Sequence, residues 1–186
     1  MAPRPSVGFA LTSLSIASLV LACALRVRPE QIEPPSFDVR NRHPASVTLR
    51  VEGGFEGGGL LSNSEFLRAL RSSVQKSQVF SDVRDDLSAD YLLEVQLIGL
   101  HFPVQGFNMT ATLTASWVLS DPRTGVEFLR EIVSTPYTAT VGAAFVGLER
   151  QRLAKEGAVR ENLRAGIRRL SEIELRAPTR DSPRQP

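Results

Sequence analysis

The chain has 186 residues, 42% of them hydrophobic, with 22 basic and 20 acidic side chains and a formal net charge of +2. This length holds one domain with a real core but not comfortably two. The near balance of charge argues against a nucleic-acid partner, and the single cysteine excludes an intramolecular disulfide.

Met1 to Ala22 has the order of a secretory signal: one charge at Arg4, an apolar run from Val7, then small residues before Cys23. The run is shorter than the ~20 residues a spanning helix needs. Val20-Leu21-Ala22-Cys23 resembles the bacterial lipobox. That resemblance implies that Cys23 is acylated, becomes the new amino terminus and holds the mature chain on a membrane. Position 24 is alanine, where aspartate would imply retention in the inner membrane. The resemblance therefore implies the outer membrane, periplasmic face.

Residues 23–46 read as a tether, with Pro29, Pro34, Pro35 and Pro44 among charges. Proline-rich chain is extended, so the tether is expected to hold the domain tens of ångströms off the membrane. The folded domain is expected over residues 47–176. Val47, Leu49 and Val51 alternate with polar residues as in a half-buried strand. A glycine-rich loop follows at Gly53–Gly59. Ser62 and Glu65 fit a capping box, and Phe66, Leu70 and Val74 predict a helix to about Ser77. Asp82, Asp85, Asp86 and Asp90 read as a solvated turn, since the EF-hand spacing is absent.

From Ala89 the period becomes two. Tyr91, Leu93, Val95 and Leu97 share one strand face. Met109, Ala111, Leu113, Ala115, Trp117 and Leu119 share another, with threonines and a serine opposite. Asp121-Pro122-Arg123-Thr124-Gly125 is a turn before a third strand, Val126 to Thr138. Short links make these three strands an antiparallel meander. Ala143 to about Leu175 is a helix with the stripe Val159, Leu163, Ile167, Leu170 and Ile173. Gly157 and Gly166 weaken it by ~1 kcal/mol each, which points to close approach to the sheet. Residues 177–186 read as a disordered tail. The expected fold is α+β in two layers: a four-stranded, mainly antiparallel sheet with two helices on one face, in the order β-α-β-β-β-α.

The chemistry-bearing residues are sparse. His43 falls in the tether and His101 in a strand-end loop, and no zinc set or G-x-S-x-G elbow frames a site. No cofactor is expected. The glycine loop lacks the Gly-Lys-Ser/Thr of a phosphate cradle, so Gly57 and Gly58 are candidates for a partner-binding lip instead. Arg152, Lys155, Arg160, Arg164 and Arg168 belong to a solvated helix face. Among them Arg160, Arg164 and Arg168 are candidates for gripping phosphate or carboxylate on a lipid or protein partner.

Two resemblances add to this reading. The segments Tyr137–Leu148, Arg152–Ala158 and Arg160–Asn162, with Ala89-Asp90-Tyr91 and Trp117, resemble a group of small uncharacterised proteobacterial outer-membrane lipoproteins. Some members carry the label UDP-N-acetylglucosamine acyltransferase, which implies a hexapeptide-repeat β-helix and a catalytic histidine; this sequence has neither. The element order is also similar to that of lipopolysaccharide-assembly lipoproteins and the auxiliary lipoproteins of lipid-transport ABC systems. Together these imply a non-enzymatic accessory lipoprotein that binds an envelope protein or lipid. The alternative is a periplasmic acyl- or sugar-transferring enzyme. Converging titratable groups in a tight pocket would mark the enzyme, and an open sheet face or apolar groove the binding module.

Overall fold

A computed structural model describes residues 27–54, 61–86, 88–102 and 106–175. Its elements in chain order are α1 (Pro29–Ile32), β1 (His43–Glu52), α2 (Asn63–Ser77), β2 (Phe80–Arg84), β3 (Tyr91–His101), β4 (Met109–Ser120), β5 (Glu127–Ala139) and α3 (Gly147–Glu172). The strands form one sheet in the order β2-β1-β3-β4-β5. β1 runs parallel to both β2 and β3, while β3, β4 and β5 form the expected antiparallel meander.

The class is therefore α+β, but among the described residues the sheet has five strands and is mixed, and there are three helices. The additional strand, β2, is five residues long with only Phe80 buried. A stretch so short and polar carries no legible alternation, and its pairing with β1 makes it a strand. Its direction follows from the connection: a chain that crosses over through a helix returns parallel. The third helix, α1, is a single turn with Pro29 at its start.

The core lies between the helices and one face of the sheet. Every residue of β4 expected on the inner face is buried, with Ala111, Leu113, Ala115, Trp117 and Leu119 at 0% exposure. Trp117 faces Val95 across the β3–β4 pair, and Leu119 faces Leu93. α2 starts with the capping box of Ser62 and Glu65 and buries Phe66, Leu70 and Val74. α3 begins at Gly147, four residues later than expected, because the chain first turns with Ala143 N–H donating to Thr140 O.

Gly157 and Gly166 are where α3 meets the sheet. A Cβ at Gly166 would lie 2.3 Å from Cε2 and Cζ2 of Trp117, and one at Gly157 would lie 2.1 Å from Cδ1 of Tyr137. Only glycine permits this spacing. Between them Asn162 donates to the carbonyls of Leu113 (3.3 Å) and Val133 (2.9 Å) and accepts from Trp117 Nε1 (3.2 Å). One buried amide thus ties the helix to β4 and β5.

Residues 27–46, expected to be tether, are instead packed on the domain. Val27 and Ile32 are buried, Phe37 and Val39 pack against the core, and β1 starts at His43 rather than Val47. His43 itself is buried, with Nε2 2.8 Å from Leu170 O. The apolar residues here are few, but each finds a place against α2 and α3. Backbone groups of the segment are satisfied by those helices: Arg28 N–H donates to Glu156 Oε1 (2.9 Å) and Asn41 N–H to Ser171 O (3.2 Å). Only residues 24–26 separate Cys23 from buried Val27, so a reach of tens of ångströms is ruled out for the segment as described.

Candidate functional site

Cys23, Gly57 and Gly58 lie outside the described residues, as do the expected signal and tail. The three candidate arginines of α3 are described, and they do not form one free cluster. Arg160 is half-buried; it donates to Gln31 O (2.9 Å), and its guanidinium lies 5.9 Å from the Tyr137 ring centre. Arg164 pairs with Glu161 at 2.6 Å. Arg168 is exposed. Arg160 therefore clamps the N-terminal segment, and Arg164 is held within its own helix.

The first half of α3 holds groups that the sequence places on a solvated face and the structure buries. Arg152, Lys155 and Glu156 are 3%, 0% and 1% exposed. The N-terminal segment covers part of this side, with Arg28 N–H donating to Glu156 (2.9 Å). Arg152 donates to Glu156 (2.6 Å) and also pairs with Glu149. Burial works against the Arg152 charge, but the bonds and charges of Glu149 and Glu156 outweigh it and raise its pKa. Lys155 Nζ sits 4.8 Å from the centre of the Phe102 ring. Burial, reinforced by Arg152 and opposed by Glu156, lowers its pKa to about 8. Just after α1, Glu33 accepts from Lys76 (2.5 Å) and Ser72 (2.8 Å) of α2. These charges hold the leading segment against both long helices.

The opposite face of the sheet is open. Thr110 bonds Thr138 at 2.8 Å and Thr114 bonds Ser134 at 3.1 Å across β4 and β5. Ile98 and Ile132 stand on this face at 50% and 70% exposure. Nearby is a hollow of about 460 Å³, whose charged lining includes Glu52, Glu94, Asp121, Glu127 and Arg130. Glu94 pairs with Arg50 on the neighbouring strand (2.8 Å), and Arg130 pairs with Glu127 along β5. Asp121 is held below the usual carboxylate range by the Arg123 backbone N–H, and Glu127 by its hydrogen bond to Arg130. Such carboxylates stay ionised and are poor proton donors. A second hollow, about 450 Å³, lies between β2 and the end of α2, beside His43 and Asp82. The His43 ring nitrogen is already bound to Leu170 O there. Among the described residues no group of three His, Cys, Asp or Glu is placed to hold a metal ion, and no helix is long and apolar enough to cross a membrane.

One feature escaped the sequence reading. Phe107, Phe145 and Val146 are 85%, 92% and 64% exposed at one end of the molecule, in the loops before β4 and α3. Arg150 binds both loops, donating to the carbonyls of Ala144 (2.8 Å), Phe145 (2.7 Å) and Gly106 (3.3 Å). The available signal was apolar residues next to Gly106 and Gly147 in segments without period.

No family model and no curated protein matches the chain by sequence. Its fold is shared. Protein XCC0632 from Xanthomonas campestris, of the family DUF330, superposes with a TM-score of 0.57 at 10% identity, covering 78% of this chain and 91% of that one. The hypothetical protein CT253 from Chlamydia trachomatis gives 0.50 at 10% identity, covering 69% and 96%. A minor lipoprotein from Acinetobacter baumannii gives 0.45 at 10% identity, covering 68% and 92%. At these identities the likeness is one of fold. Nothing in it supports the acyltransferase label.

Proposed function

We propose that this chain is an envelope lipoprotein, anchored by acylated Cys23 to the periplasmic face of the outer membrane. It acts there as a non-enzymatic accessory or binding module in outer-membrane, lipid or lipopolysaccharide assembly. The observation that carries the binding role is the open sheet face. It presents rows of hydroxyls, paired charges and the isolated apolar side chains Ile98 and Ile132. A surface of this kind offers hydrogen bonds and apolar anchors to a partner. Its ionised, paired carboxylates do not converge on a reacting atom as an acid and base would.

Two experiments test the two halves. Fatty-acid labelling in a lipoprotein-processing host should mark the wild type and not Cys23→Ser, and globomycin should cause precursor to accumulate. An unlabelled wild type overturns the anchor. For the face, Ile98→Arg with Ile132→Arg should leave the melting temperature near that of the wild type. It should also abolish complementation of an envelope-permeability defect in a deletion strain. Full complementation by the folded double variant overturns the sheet face as the binding surface.

A further inference from the structure

Gln31 O is bound by Arg160, and Arg28 N–H by Glu156. Arg28 also lies within the electrostatic reach of Glu149. Passing backwards from Gln31 to Arg28, the chain therefore moves along α3 toward that helix's first turn. Cys23 precedes Val27 by four residues, which span at most ~14 Å when fully extended. From Glu156 back to Gly147, α3 rises ~13.5 Å. The anchoring residue is thus within reach of the end where Phe145 and Val146 protrude, and the chain is already heading there.

We infer that Phe107, Phe145 and Val146 dip into the lipid bilayer that carries the anchor, so that the domain sits on the membrane by its α3 end. The inference rests on the anchored-lipoprotein reading. Its chemistry is that of an interfacial binder: aromatic and aliphatic tips enter the acyl boundary, and basic side chains meet headgroup phosphates. Arg28 is exposed beside the exit point, and the sequence places Arg26 between it and Cys23. The tips are also held in place. Arg150 is 8% exposed and binds carbonyls in both loops, so the apolar side chains project from a fixed support. With so short a link, the anchor keeps Val27 within ~14 Å of the anchoring residue while residues 27–32 stay docked.

The test uses the full acylated chain, reconstituted into phosphatidylethanolamine–phosphatidylglycerol vesicles with or without brominated acyl chains. Phe145→Trp supplies a reporter. The parent protein gives the baseline, because its single tryptophan, Trp117, is 0% exposed. Phe107→Trp is the second reporter in case the first variant fails to fold. The expected result is a blue shift on reconstitution and bromine quenching well above the parent's. If the protein is labelled with fatty acid and floats with the vesicles but neither reporter is quenched, the inference is overturned and the anchor stands. A blue shift without bromine quenching means that protein covers the tips, which also overturns it. If no acylation is found, the anchor reading fails separately. The reporters are then read after adding the same vesicles to the unanchored protein, where quenching retains the membrane-binding end and its absence removes it.

Discussion

The contact between Gly166 and Trp117 sets one effect against another, and Gly166→Ala resolves which is larger. On helix propensity alone, alanine should stabilise α3 by ~1 kcal/mol. The new methyl, however, would sit 2.3 Å from two ring carbons of Trp117, where ordinary carbon contacts are ~3.5–4.0 Å. The ring is fully buried, and its Nε1 is bound to Asn162, which is itself bound to two strand carbonyls. The indole therefore has no free direction in which to retreat. Overpacking of this kind costs ~1–3 kcal/mol, and a rigid ring puts it at the upper end. Losing the Asn162 bond adds ~1 kcal/mol. After the propensity gain is set against these, Gly166→Ala should lose about 2–3 kcal/mol. Urea denaturation followed by circular dichroism would measure it. The same substitution in a Trp117→Leu background, where the ring is gone, should be neutral or slightly stabilising. The reasoning is refuted if Gly166→Ala is as stable as the wild type, or if its cost is the same with and without Trp117.

Lys155 should make stability depend on pH. Its folded pKa is lowered from 10.5 to about 8, so between those values the unfolded state binds more protons and stability rises with pH. The full window corresponds to ~3 kcal/mol at ~1.36 kcal/mol per pKa unit. Tyr91, whose pKa is raised by burial, acts in the opposite sense near and above pH 10. The melting temperature should therefore climb from pH 7.5 to 9.5, and the climb should be lost in Lys155→Met. Arg152→Met leaves Glu156 buried without its 2.6 Å partner, at a cost of ~3–5 kcal/mol in chemical denaturation. Adding Glu156→Leu should recover part of that cost, and no recovery would mean that packing rather than charge is lost. Ser62→Ala removes the N-cap of α2 and should cost ~1 kcal/mol; a change within error would show that tertiary packing alone sets the helix start.

What the sequence made legible follows from how strongly each residue's role is written in period. β4 alternates over twelve residues, so its inner face, Trp117 and the meander could be read directly. Gly157 and Gly166 stood out because glycine in a helix needs a reason, and the rings of Tyr137 and Trp117 supply it. β2 was missed because five residues with one buried side chain give no period. The leading segment was misread for a related cause. Its prolines and charges say nothing of the turn of helix at Pro29–Ile32 or of the docking of Val27 and Ile32, which is a property of the surface they meet. That docking also hid the fate of Glu156 and of its partner Arg152. A helix pattern read against one covering layer assigns its far side to solvent, whereas here a second layer arrives from more than a hundred residues away. Arg160 illustrates the same limit, since a side chain chosen for an outside partner is spent on Gln31 O.

The bond between Arg28 and Glu156 joins residues 128 apart in a chain of 186. It closes one of the longer loops among the described residues, and such closures are costly in entropy and slow to form. Its timing is also constrained by the order of synthesis. Glu156, Arg160 and Ser171, which receive the leading segment, are made more than a hundred residues after it. A chain that has not reached Glu156 cannot seat this segment. Residues 28–41 thus leave the ribosome well before their place exists, and they remain open to any processing machinery until α3 has arrived to hold them.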